Sequence, residues 1–315
     1  MSSKIRVING VQELDESSLQ QIDWSHYMLY RPAYPESFFN RIYEYHSRLS
    51  SLSTTWQTAH GVGAGTGIVS SHLTSKFDRV IVSDPGAGYT QTAQQFLVEK
   101  SGLPESKFVF LQEGAEKSSV ETGTVDLITA CECIFWTDTT KAVGEFARQL
   151  KPGGTLAMTI YTRPLILGNE RAQALWDALY AAWAKNFRGK LQNRAIQIFN
   201  VGLDSVVLPA AQWEDVQRVY INASRDIESF RLDNRVRDSG VTENEERVWV
   251  YGDADWSYKK GIDWMKGFYS SWGHPVPKSS VQSLWDELER AIATNGGTVQ
   301  CEVPVAMVLA TRRAH

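Results

Sequence analysis

Seven residues, Gly61-Val62-Gly63-Ala64-Gly65-Thr66-Gly67, constrain what this chain can fold into more than any other stretch. They follow Thr55-Trp56-Gln57-Thr58-Ala59-His60, which reads as a short buried strand. They precede Ile68-Val69-Ser70-Ser71-His72-Leu73, which reads as the start of a helix. Glycines at alternate positions let a ligand lie against bare backbone, where any Cβ would collide with it. An acid, Asp84, stands 17 positions after Gly67, at the end of the expected strand Arg79-Val80-Ile81-Val82-Ser83. Strand, glycine turn, helix and a following acid together describe a nucleoside cofactor at the carboxyl edge of a parallel sheet. The acid takes the ribose hydroxyls.

The spacing narrows the choice of nucleoside. A dinucleotide fingerprint is G-x-G-x-x-G, and its third glycine permits close helix–strand packing. Counted from Gly63 that position is Ile68, and counted from Gly61 it is Thr66. Neither fits, which argues against a nicotinamide oxidoreductase. A cofactor without a pyrophosphate is expected instead.

The rest of the chain supports a βα alternation. Strands are expected at 80–83, 108–111, 126–131 and 155–161, with helices at 67–75, 90–100 and 141–150. That spacing predicts a doubly wound, mostly parallel α/β sheet with helices on both faces. Residues 1–26 read as a polar N-terminal arm, and residues 36–49 as a helix packed on the domain. Two prolines, Pro32 and Pro35, argue against a regular helix between Trp24 and Pro35. Beyond Tyr161 the alternation stops. Helices are expected at 171–183, 259–271 and 280–294, a solvated charge-rich stretch at 226–247, and a final strand at 299–311. The domain reading is therefore an arm (1–26), a cofactor-binding core (27–161), a cap (162–295) and a C-terminal strand returning to the core sheet (296–315).

Composition excludes several classes of function. The net charge of −4 leaves no basic footprint for nucleic acid or an anionic membrane. No run of about 18 apolar residues is present to span a bilayer, and Met1-Ser2-Ser3-Lys4-Ile5-Arg6 lacks the apolar stretch of a signal peptide. Three cysteines, Cys131, Cys133 and Cys301, are too few and too odd for a disulfide framework, so a reducing, cytoplasmic setting is expected. The C-x-C pair has no second pair beside it, so no metal site is expected. Of 11 tryptophans, eight follow residue 160, a crowding that suggests an aromatic-lined acceptor pocket or its lid in the cap.

These residues resemble a family. G-x-G-x-G after the first core strand, the acid after the second, Gly114-Ala115-Glu116 after the third and Leu150-Lys151-Pro152-Gly153-Gly154 before the fifth are similar to class I S-adenosylmethionine-dependent methyltransferases. Tyr30-Arg31-Pro32-Ala33-Tyr34-Pro35, Phe135-Trp136-Thr137-Asp138 and Phe268-Tyr269-Ser270-Ser271-Trp272 resemble the trans-aconitate methyltransferase group, in its fungal form. The resemblance implies a Rossmann-like seven-stranded sheet with an aromatic-rich cap inserted before the last strands. It implies that Gly63, Ala64 and Gly65 face the methionine part of S-adenosyl-L-methionine and that Asp84 holds the ribose, with Pro85 against the adenosine. Ala115 and Glu116 would lie near the adenine, and Cys131 and Glu132 on the sulfonium side. Tyr27, Tyr30 and Arg31 would close over the cofactor. Two positions depart from the pattern: Gly61 stands where the family usually has an acid, and Phe135 where the group often has a histidine.

Methyl transfer from a sulfonium needs a positioned nucleophile in a dry site, and a base only when the acceptor must first lose a proton. No catalytic residue is therefore demanded; His274 and His26 are the candidates. Phe135, Trp136, Trp264, Tyr269 and Trp272 are expected to wall the acceptor site. The expected activity is methyl transfer to an oxygen, carboxylate or hydroxyl, of a small metabolite of the secondary type. The alternative is the same fold without methyl transfer, acting as a cyclase, isomerase or binding partner.

Overall fold

The computed structural model describes residues 6–7, 23–48, 55–224, 226–273, 276–294 and 296–314. In chain order its elements are β1 (Arg6–Val7), α1 (Trp24–Tyr30), α2 (Glu36–Arg48), β2 (Thr58–Val62), α3 (Ile68–Leu73) and β3 (Arg79–Ser83). Next come α4 (Tyr89–Gln94), which runs on as a π-helical turn (Gln95–Lys100), then β4 (Phe108–Gln112), β5 (Val125–Cys131), α5 (Thr139–Gln149) and β6 (Leu150–Tyr161). The second half holds β7 (Leu165–Leu167), α6 (Glu170–Asn186), α7 (Lys190–Phe199), β8 (Trp213–Ile221), β9 (Glu246–Val250), β10 (Ser257–Gly261), α8 (Ile262–Ser270), α9 (Lys278–Ala293), β11 (Thr298–Glu302) and β12 (Val305–Arg312).

The main sheet has the order β1-β4-β3-β2-β5-β6-β12-β8-β9. Strands β1 to β6 run parallel, and β12 is antiparallel to both β6 and β8. Strands β2, β5 and β12 are apolar and buried almost throughout, as befits strands covered on both faces. From β2 the chain builds outward to β3 and β4, then returns to lay β5 and β6 on the other side. The carboxyl ends of β2 and β5 thus flank the topological switch point, where open α/β sheets bind ligands.

Among the described residues nine strands form this sheet instead of the expected seven, because β1 and β9 add to its two edges. Residues 162–295 do more than cap the sheet: β8 and β9 come from within them. The stretch 226–247, expected as solvated surface, leads into β9. The fully buried Arg218 on β8 pairs with Glu245 at 2.6 Å, immediately before that strand. The expected single strand over 299–311 is two. β11 joins the small antiparallel sheet β10-β11-β7, and β12 joins the main one. Pro304 lies between them; it has no N–H to continue a ladder, and its carbonyl accepts from the Thr162 N–H at 3.0 Å. The expected helix over 259–271 begins only at Ile262, since 257–261 is β10. The segment 24–30, expected to be irregular, is helix α1. It is capped by Asp23, whose carboxylate accepts the His26 N–H, and it ends before Pro32 makes a helix impossible.

Candidate functional site

The glycine loop leaves β2 with Gly63 and Gly65 at φ +58° and +54°, a left-handed backbone that glycine adopts without strain. Both positions are also hemmed in. A Cβ on Gly63 would sit 2.4 Å from Cβ of Cys133, and one on Gly65 would sit 2.8 Å from the ring of Trp24. Asp84, buried at the end of β3, locks the turn. Its Oδ2 accepts the Gly65 N–H at 3.0 Å and its Oδ1 the Gly86 N–H at 2.9 Å. Burial pushes the Asp84 carboxyl up to about 6, while the two N–H donors pull the other way. Each oxygen keeps a further lone pair for an incoming hydroxyl. A bare-backbone cradle beside a buried carboxylate with spare acceptor capacity fits a ribose diol. Pro85 follows at once and is half-buried.

The opposite wall is the end of β5. Glu132 adopts φ +57°, rare outside glycine, and its N–H donates to the Thr159 carbonyl at 2.8 Å. That turn aims its carboxylate at the end of β6, where Oε1 accepts the Tyr161 N–H at 2.6 Å. Burial raises the Glu132 carboxyl to about 7, opposed by the positive charge of Arg31. Burial likewise pushes the Cys131 thiol up to about 12. The Cys133 thiol, which donates to the Val62 carbonyl, is raised by burial first, then by Cys131, Asp84, Glu132 and Glu116. Asp84, Glu132 and Glu116 thus all bear on the Cys133 thiol, which packs against Gly63 of the glycine loop. Ala115 is buried, and Glu116 Oε1 accepts the Asp138 N–H at 2.9 Å.

Helix α1 roofs this region. Trp24 meets Tyr27 and Tyr89 edge-on, each at 5.3 Å, and the Tyr27 hydroxyl lies 3.4 Å from that of Tyr161. Arg31, just past the helix, has its guanidinium among four rings: Tyr27 at 4.9 Å, Trp272 at 5.0 Å, Phe268 at 5.6 Å and Tyr161 at 5.7 Å. It donates to the Ser271 carbonyl at 3.2 Å, but its buried Nε has no partner. Tyr30, expected to close over the cofactor, packs its ring against Gly267 of α8 instead. His26 likewise turns to α8, with Nε2 2.8 Å from Ser270 Oγ, so its ring nitrogen is already engaged away from the loop. His274 lies outside the described residues.

Of the expected aromatic wall, three members line up beyond β5. Phe135 meets Trp136 at 5.3 Å and Phe199 at 5.7 Å; Phe199 then meets Trp272 at 5.5 Å, and Trp272 meets Tyr180 at 5.1 Å. The Trp272 Nε1–H and the Tyr180 hydroxyl are buried without partners. The other two are packing residues. Trp264 stacks on Phe268 at 5.1 Å under Lys260, and Tyr269 donates its hydroxyl to the Leu179 carbonyl between α6 and α8. Trp24, Tyr161, Tyr180, Cys133 and Phe199 escaped the sequence reading. Only Tyr161 and Cys133 carried a signal, since each stands at or just beyond the carboxyl end of a parallel strand.

Residues 60–158 match the family model of a methyltransferase domain. A methyltransferase of Pestalotiopsis fici, ptaI, is 29% identical over 92% of this chain and 93% of its own length. Methyltransferase cfoB of Aspergillus candidus is 28% identical over 92% of this chain and 94% of its own. Among solved structures, a type II methyltransferase of Anaeromyxobacter dehalogenans described as putative shares the fold. Its TM-score is 0.55 at 16% identity, over 90% of this chain and 99% of that one. No helix among the described residues is long and apolar enough to cross a membrane.

Proposed function

We propose that this chain, a class I S-adenosylmethionine-dependent methyltransferase, places the methyl group on a carboxylate or hydroxyl oxygen of a small aromatic metabolite of the secondary type. The observation that carries the acceptor reading is the ring series Trp136-Phe135-Phe199-Trp272-Tyr180, which begins just beyond the Cys131–Glu132 turn and holds two unpaired donors. Rings packed edge-to-face suit an aromatic body, and an indole N–H, which can only donate, suits an oxygen acceptor.

S-adenosyl-L-methionine supplies an electrophilic methyl on a sulfonium when bound. In this reading Gly63, Ala64 and Gly65 present bare backbone to its methionine half, and Asp84 accepts the ribose hydroxyls beside Pro85. Ala115 and Glu116 take the adenine end, Cys131 and Glu132 bound the sulfonium side, and Tyr27 and Arg31 close the roof, with Tyr30 bracing it on α8. Phe135, Trp136 and Trp272 hold the acceptor in line and exclude water, and much of the acceleration comes from that positioning. A carboxylate acceptor is already ionised at neutral pH and asks for no base.

The test is incubation of the purified chain with methyl-labelled S-adenosylmethionine and a panel of small aromatic carboxylic acids, phenols, amines and thiols. Label recovered as a base-hydrolysable methyl ester or a base-stable methyl ether is expected. Transfer confined to amines or thiols overturns the oxygen assignment.

A further inference from the structure

The amino-acid end of the cofactor is a zwitterion, and the glycine loop can meet only half of it. Backbone N–H groups satisfy an anion, whereas an α-ammonium needs an acceptor, best a carboxylate. Strand β2 offers none. A Cβ on Gly61 would lie 2.3 Å from Ser70 Oγ, so the space for a longer side chain is filled by α3.

The sheet order β4-β3-β2-β5 places the remaining candidates in a row. Glu116 follows β4, Asp84 ends β3, the glycine loop leaves β2, and Glu132 follows β5. Asp84 is committed to the loop and the ribose, and Glu116 lies two strands away and holds the Asp138 N–H. A nucleoside laid along the row with its ribose at Asp84 sends its amino-acid end toward β5. There Cys133, next to Glu132, touches Gly63, and the Glu132 backbone is held in a left-handed conformation that turns its carboxylate inward. Beside it stands the one feature that suits the other end of a zwitterion. Arg31 is enclosed by four rings, has an unpaired Nε, and makes no salt bridge among the described residues.

We infer that Glu132 and Arg31 form a two-ended clamp for the α-amino-acid group of the cofactor, Glu132 taking the ammonium and Arg31 the carboxylate. The inference rests on S-adenosylmethionine being the cofactor, and goes beyond it by assigning each charge of its amino-acid end a partner.

The experiment is calorimetric titration of the full chain and of Glu132→Gln and Arg31→Gln with three probes: S-adenosylhomocysteine, its decarboxylated analogue, which keeps the ammonium, and 5′-methylthioadenosine, which lacks both charges. Glu132→Gln is expected to weaken S-adenosylhomocysteine and the decarboxylated analogue by about tenfold or more. Arg31→Gln is expected to weaken S-adenosylhomocysteine alone. Methylthioadenosine should bind all three proteins within about twofold, which also reports that the variants are folded. Unchanged S-adenosylhomocysteine binding in Glu132→Gln overturns the clamp, as does an equal loss for methylthioadenosine. Failure of the unaltered chain to bind any of the three probes overturns the cofactor reading itself.

Discussion

His60 directly precedes the glycine loop and Asp84 hydrogen-bonds to it, and burial moves the two in opposite directions. The Asp84 carboxyl rises to about 6 from its ordinary 3.8. The His60 ring, fixed between Gln149 Oε1 and Ser83 Oγ at 2.8 Å each, falls to about 4 from 6.5. The signs differ. Folding favours protonated Asp84, so its contribution is full below pH 3.8 and is lost as pH rises through 6. Folding favours neutral His60, so its contribution is full above pH 6.5 and is lost as pH falls through 4. Over pH 4–6 the two oppose each other. Asp84→Asn is therefore expected to make the stability of the ligand-free protein climb more steeply with pH across that window, by up to about 3 kcal/mol. Denaturant melts at pH 4, 5, 6 and 7 check it; an unchanged slope would show that Asp84 is not buried as an acid. At this scale the glycine turn and the acid beside it were legible in sequence, because a positive-φ turn and a strand-end acid each depend on a few adjacent residues. Trp24 and Tyr180 were not, since nothing local distinguishes a tryptophan over a glycine loop from one in a core.

Helix α1 shows where element-level reading ran out. Pro32 and Pro35 suggested an irregular segment, yet the helix needs only the residues before them, and Asp23 supplies its cap. Seven residues make a marginal helix by themselves, so α1 persists through its packing on α8 and the glycine loop. Asp23→Ala should cost the helix about 1 kcal/mol and loosen the roof with it. The expected outcome is faster amide exchange over 24–30 and a severalfold weaker grip on S-adenosylhomocysteine, with the global melting temperature nearly unmoved. A large drop in melting temperature would instead make α1 part of the cooperative core. Strand β9 was hidden for a related reason. Its charged approach reads as surface, and only the pairing of Glu245 with the buried Arg218 reveals that one of those charges turns inward.

For the whole molecule, the decisive fact is where the last strand goes. β12 lies between β6 and β8, so the sheet is closed only by residues more than 140 positions beyond the end of β6. A chain ending after Tyr161 would expose the long apolar edge of β6 and strip Tyr161 of its neighbour Trp256. It is expected to aggregate or remain unfolded by circular dichroism and gel filtration, even though it contains the entire methyltransferase-domain match; a soluble, cooperatively melting fragment would refute this. The sequence by itself determined the alternating α/β core and the glycine turn followed by an acid at the end of the next strand, because each is written in short stretches whose period, turn chemistry and order suffice to place them. Only the tertiary structure decided that Tyr30 and His26 pack on α8, and that Arg31 reaches the Ser271 carbonyl within range of the Glu132 charge. Those contacts join residues about 100 to 250 apart, and their selection depends on how packed surfaces meet, which no local pattern encodes.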